Sequence, residues 1–154
     1  MFRSVQSACD ARGERWWRSH ADWLLAMTEI QRGDPAEAER HALEALPVKR
    51  DFADVAGTAM CLEMLATVAL ATGDPRRTAL LHGASERIYR SFSKPQLGSP
   101  FFAAMHDDAE KTARTLIGDG AYERAEAAWL RLDGDEAIAR ALKTEPGPAT
   151  PGRP

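Results

Sequence analysis

Between about residues 14 and 32 the apolar positions recur at helical spacing in two adjacent stripes. Trp17, Ala21, Leu24 and Thr28 form one, and Trp16, His20, Trp23, Met27 and Ile30 form the other. Such a helix needs neighbours on two sides. The pattern pauses at Gly33-Asp34-Pro35 and resumes over about 35–46, with Ala38, Ala42, Ala45 and Leu46 inward and Glu37, Glu39, Arg40 and Glu44 left for water. Pro47 predicts the end of that helix, because proline disfavours helical geometry in the residue before it. A third helix, about 52–72, carries Val55, Ala59, Leu62, Leu65, Ala66, Ala69 and Leu70 on a wide face, and a fourth spans about 75–92. The stretch "SKPQLGSP" breaks the pattern. Ser99-Pro100 then opens a fifth helix to Ile117, and helices of about 121–131 and 135–143 follow, the last with Asp135 as its cap. Val, Ile and Thr never alternate with polar residues over a strand's length, so the chain reads as all-α with about seven helices.

The tripeptide Gly-Asp-Pro occurs at 33–35 and again at 73–75. Gly suits the left-handed position that ends a helix, Asp caps the next one, and Pro fits its first turn. The two tripeptides are therefore helix-turn-helix hinges, and the shift of 40 residues between them also superposes Leu25-Ala26 on Leu65-Ala66. Two helices per unit at this period is the mark of a tetratricopeptide-like or related α-solenoid. The architecture expected is a right-handed stack of antiparallel helix pairs. It divides the chain into a flexible N-terminus (1–13), a helical-repeat domain (14–143) and a Pro-rich disordered tail or linker (144–154).

With 154 residues the chain is long enough for one domain that buries roughly 70% of its unfolded surface. A formal net charge of −3, with both signs mixed along the length, leaves no basic stripe for a phosphate backbone, and direct nucleic-acid binding is not expected. Cys9 and Cys61 read as free thiols, no membrane span and no secretory leader is visible, and the expected location is cytoplasmic.

Candidate chemistry is sparse. Trp16, Trp17 and Trp23 read first as core residues rather than a ligand platform, since adjacent positions on a helix point about 100° apart. His41 follows Glu37 by four residues and His106 precedes Asp107 and Asp108, but neither forms a dense ligand set, while His20 and His82 stand alone in the sequence. The carboxylates Asp107, Asp108 and Glu110, and Asp133, Asp135 and Glu136, read as charges at helix starts. No phosphate loop, dinucleotide fingerprint or nucleophile elbow occurs. The expectation is a non-enzyme with no catalytic residue, no cofactor and no metal.

An ordered series of segments does carry a resemblance. "GERWW", "RGDPAEAERHALEAL", "CLEMLATVALATGDPRRTALLHGASERIYRSF", "HDDAEKTARTLIGDGAYERAEAAW" and "DEAIARAL", over about residues 13–143, resemble the C-terminal helical-repeat region of LuxR-type ATP-dependent transcriptional regulators and their STAND-class relatives. The resemblance implies a regulatory interaction or sensor segment whose partners are a protein ligand or the neighbouring ATPase and DNA-binding modules of a larger regulator. The chain departs from the family's plan in having neither module, so an excised domain or truncated frame is one expectation and a stand-alone peptide-binding adaptor the other. Helices that precede the repeats in the family are absent, which leaves the Trp16, His20 and Trp23 stripe without cover. These three residues are the candidate partner surface, and an exposed stripe of that size favours a homodimer or another protein partner.

Overall fold

The computed structural model describes residues 1–92 and 95–143. Among them the regular elements are all helical: α1 (Phe2–Arg12), α2 (Arg15–Gln31), α3 (Pro35–Asp51), α4 (Val55–Ala71), α5 (Pro75–Phe92), α6 (Pro100–Ile117), α7 (Asp119–Leu130) and α8 (Gly134–Leu142). A single 3₁₀ turn, Pro95–Gly98, lies between α5 and α6. The chain is an all-α domain of eight helices with no sheet among the described residues.

Helices α2, α3, α4 and α5 begin at residues 15, 35, 55 and 75, so the spacing is 20 residues from helix to helix. The hydrogen bonds at the junctions repeat in the same register. Asp34 N donates to Glu29 O at 2.9 Å, Asp54 N to Lys49 O at 2.8 Å and Asp74 N to Ala69 O at 2.8 Å. Each of those aspartates then caps the next helix, accepting from Glu37 N at 3.1 Å, Gly57 N at 2.8 Å and Arg77 N at 2.9 Å. The residue before each aspartate has a positive φ: Gly33 at 78°, Ala53 at 51° and Gly73 at 83°. Two of the three junctions use glycine, for which that conformation is free, and the middle one places it on Ala53. Because short turns of this kind reverse the chain, α2 to α5 pack as successive antiparallel neighbours.

Small residues let these helices approach closely. Ala38, Ala42 and Ala45 on α3 and Ala59 and Ala66 on α4 are fully buried, with Leu46, Leu62, Met64 and Leu65 filling the layer between them. Helix α3 continues through Pro47 to Asp51 instead of stopping ahead of it. Packing of Ala45, Leu46 and Lys49, all buried, outweighs the local cost of an interior proline, which is about 3 kcal/mol.

The N-terminal residues expected to be flexible form α1, which lies along α2. It is held there by polar contacts, Gln6 Nε2 donating to Asp22 Oδ1 at 2.6 Å and Arg3 pairing with Glu29 at 3.3 Å, and this is why its weak apolar pattern gave no signal. At the other end, α6, α7 and α8 do not continue the stack outward pair by pair. They return onto α5, with α6 also touching α4 and α8 touching α3. Gly83 makes the return of α7 possible, since a Cβ there would lie 2.1 Å from the Glu126 carbonyl oxygen. Ser99 caps α6 as expected, accepting from Phe102 N at 3.4 Å, whereas Asp133 rather than Asp135 caps α8, accepting from Glu136 N at 2.7 Å. The expected Pro-rich tail, 144–154, lies outside the described residues. No described helix is long and apolar enough to cross a membrane.

Candidate functional site

The candidate partner surface lies at the end of the stack where α2 begins, α3 ends and α4 begins. Trp16 and His20 face Lys49, a lysine whose side chain is only 3% exposed. His20 Nδ1 donates to the Trp16 carbonyl at 3.0 Å, so its Nε2 is the acceptor for Lys49 Nζ, also at 3.0 Å. Lys49 Nζ further donates to Asp54 Oδ2 at 3.0 Å and lies 5.4 Å above the Trp16 ring. A buried cation is thus held by a carboxylate, an imidazole and an aromatic face. Trp23, about one turn further along α2, lines a small cavity together with His20, Lys49 and Asp54. Its indole Nε1 donates to Met60 O at 3.1 Å and its ring meets Phe102 edge-on, between α2, α4 and α6. The exposed apolar residues at this end are Trp17 (58%), Phe52 (51%) and Val55 (46%). Arg15 reaches across them, with its guanidinium 5.9 Å from the Phe52 ring centre and 3.1 Å from Asp51.

His82, isolated in the sequence, is not isolated in the fold. His82 on α5 and His106 on α6 stack with ring centres 4.0 Å apart, against Glu63 of α4. His106 Nδ1 is 3.1 Å from both Glu63 oxygens, and His82 Nε2 is 3.6 Å from Glu63 Oε2. Ser85 Oγ donates to Glu63 Oε1, and His82 Nδ1 lies 2.6 Å from the Tyr122 hydroxyl. On the far side of His106, Nε2 is 3.5 Å from Glu110, which is itself bonded to Arg114 at 2.7 Å. Asp107, Asp108 and Glu110 sit well inside α6 rather than at its start, and Glu110 serves this cluster instead of a helix dipole. No spacing rule links 63, 82 and 106, so only the packing of three helices reveals the group.

The protonation states follow from the surroundings. Burial pushes His82 down to about 4, so its ring is neutral at neutral pH. For His106 burial pulls the same way, but the hydrogen bond and charge of Glu63 outweigh it and raise the ring above its ordinary value. Burial alone would raise Glu63; the hydrogen bond from His106 prevails and holds the carboxyl below the usual range.

A second polar group, Asp22, His41 and Glu44, also brings metal-ligand atoms within 4.8 Å of one another. Its atoms are already engaged. Asp22 accepts from Gln6 and from Arg18 Nε at 3.1 Å, His41 Nδ1 faces Asp22 at 3.2 Å, and Arg40 binds Glu44 at 2.7 Å while facing His41 Nε2 at 3.1 Å. This is an ion-pair network that fastens α1, α2 and α3. Cys9 and Cys61 are free and buried, and burial pushes the Cys61 thiol up to about 12. Compared with known proteins, the chain matches no family model, no curated protein and no solved structure.

Proposed function

We propose that this chain is a non-catalytic helical-repeat domain that works by contact, as the tetratricopeptide-like regulatory segment of a LuxR-type transcriptional regulator. The observation that carries the reading is the junction hydrogen bonding that recurs at 34, 54 and 74 in one register. It supports a stack built from a repeated unit, and such stacks present extended faces on which proteins and peptides bind. Ligand contact at one helix layer then biases the neighbouring modules by differential affinity for their arrangements. Trp17, Phe52 and Val55 are the exposed apolar residues at the end of the stack and would make that contact, with Arg15 and Asp51 supplying a charged rim.

Translation of the coding sequence on either side is the test. A phosphate loop upstream or a DNA-binding helix-turn-helix downstream supports the regulator. Flanks that encode neither sink the regulatory reading and leave a stand-alone adaptor for peptides. Sedimentation separates the partner types: a concentration-dependent dimer that Trp17→Glu abolishes supports self-association through this end, and a strict monomer at high micromolar concentration counts against it.

A further inference from the structure

Glu63, His82 and His106 reach one point from three helices, and their ligand atoms all lie within 4.8 Å of one another. The two separations that involve Glu63 suit a small tetrahedral ion. With bonds of roughly 2.0–2.1 Å, neighbouring ligand atoms around zinc are about 3.4 Å apart. Glu63 Oε2 is 3.1 Å from His106 Nδ1 and 3.6 Å from His82 Nε2, on either side of that value. The remaining ring nitrogens face groups of the kind that orient metal-bound histidines. His82 Nδ1 meets the Tyr122 hydroxyl at 2.6 Å, and His106 Nε2 faces the Glu110 carboxylate at 3.5 Å. Ser85 Oγ holds the carboxylate of Glu63 in the same way.

One atom is unexplained by the protein alone. His82 Nε2 is the buried side-chain polar atom with no hydrogen-bond partner among the described residues, on a side chain with 0% exposure. Leaving such an atom unsatisfied is costly, so its persistence needs a reason. It is aimed at Glu63. We propose that Glu63, His82 and His106 form a binding site for a zinc ion, through Glu63 Oε2, His82 Nε2 and His106 Nδ1, which pins α6 to α4 and α5. With Nε2 given to the ion, His82 carries its proton on Nδ1 and donates it to the Tyr122 oxygen. His106 donates from Nε2 to Glu110. Two imidazoles and a carboxylate are a ligand set that zinc accepts with a fourth position left for water or an exchangeable ligand. The ion enters from the side of His106 and Glu63, whose side chains keep 11% and 12% of their surface exposed. Glu63 and Glu110 supply negative charge, and Arg114 is tied to Glu110 and to the face of the Tyr122 ring at 4.3 Å. The Asp22, His41 and Glu44 group makes the contrast, because Arg18 and Arg40 already occupy it.

The test is calorimetric titration of the chelator-treated 154-residue chain with zinc chloride, paired with cobalt(II) absorption as a report on coordination geometry. Wild type is expected to bind one zinc per chain and to give the intense visible bands of tetrahedral cobalt. His82→Asn keeps a polar partner for Tyr122 but removes Nε2, and is expected to weaken zinc binding at least tenfold, as are Glu63→Gln and His106→Gln. Glu110→Gln should weaken it about tenfold through His106. His41→Gln should bind as wild type. Zinc at a hundred times its Kd should raise the wild-type Tm by about 5–10 °C and leave Glu63→Gln unmoved, which keeps the answer readable if a histidine variant folds poorly. The proposal is overturned if wild type shows no saturable zinc binding, if His82→Asn and Glu63→Gln bind as tightly as wild type, or if His41→Gln is the variant that loses the ion.

Discussion

The stack α2 to α5 and the returning helices α6 to α8 are built on opposite plans. In the stack, helices of 17 residues in α2, α3 and α4 follow one another at a fixed 20-residue step, join through one turn design and pack through alanines. The returning part has helices of 18, 12 and 9 residues, no shared turn, and a buried polar cluster where it crosses α4 and α5. Repetition lets each junction be stabilised locally by its own backbone. The return depends on single residues far apart in sequence, and so its stability should be sensitive to point changes and to pH in a way that the stack is not.

The sharpest way to break the comparison is Gly83→Ala. A methyl group 2.1 Å from the Glu126 carbonyl oxygen cannot be absorbed by rotating a side chain, so α7 must move off α5. We expect a loss of at least about 3 kcal/mol, read by denaturant unfolding, with hydrogen exchange losing protection in α6 to α8 while α2 and α3 keep theirs.

A fall in pH should act on the same part. In the zinc-free chain burial holds His82 at about 4 against 6.5 when unfolded, so the unfolded chain binds more protons between those values and stability declines as the pH drops through them. The expected loss is about 3 kcal/mol from pH 6.5 to 4, and His82→Asn should flatten that limb of a Tm-against-pH profile. His106, raised, works in the other direction, its contribution being complete below 6.5 and fading only as the pH climbs through its folded value. Glu63, lowered, loses its contribution only when acid reaches its folded value, below the ordinary carboxyl range.

Within the stack the effects should be smaller and graded by junction. Asp54→Ala removes a helix cap and also strips the buried Lys49 ammonium of its carboxylate, at an expected cost of about 2–3 kcal/mol by thermal unfolding. Asp34→Ala removes a cap alone and should cost about 1 kcal/mol. Smallest of all, Ala53→Gly should stabilise by about 0.5–1 kcal/mol, since it relieves a left-handed alanine at the one junction of the three without glycine. A destabilised Ala53→Gly would show that the middle junction is not equivalent to its neighbours.

Much of the stack was legible in the residues. Gly33-Asp34-Pro35 and Gly73-Asp74-Pro75 announce their turns because each residue type there has one strong local preference. The middle junction was read only loosely: Pro47 stops the second helix too early and Ala53 gives no turn signal, so its likeness to the junctions at 34 and 74 did not show. Helix α1 was missed because its contacts with α2 are polar, and amphipathic periodicity detects only apolar ones. At the candidate surface, periodicity put Trp16, His20 and Trp23 on one stripe but could not tell that Lys49 would face the first two or that Met60 and Phe102 would meet the third.

What the sequence determined by itself is the helical class, the positions of most helix ends and the alanine-rich faces that stack, because capping, glycine and proline preferences and 3.6-residue periodicity all act within a few residues of chain. Only the tertiary structure decided that α6 to α8 fold back onto α5, and that Glu63, His82 and His106 meet. Those outcomes rest on a close approach at Gly83 and on contacts between residues 19 to 43 positions apart, for which a linear pattern carries no periodic signature.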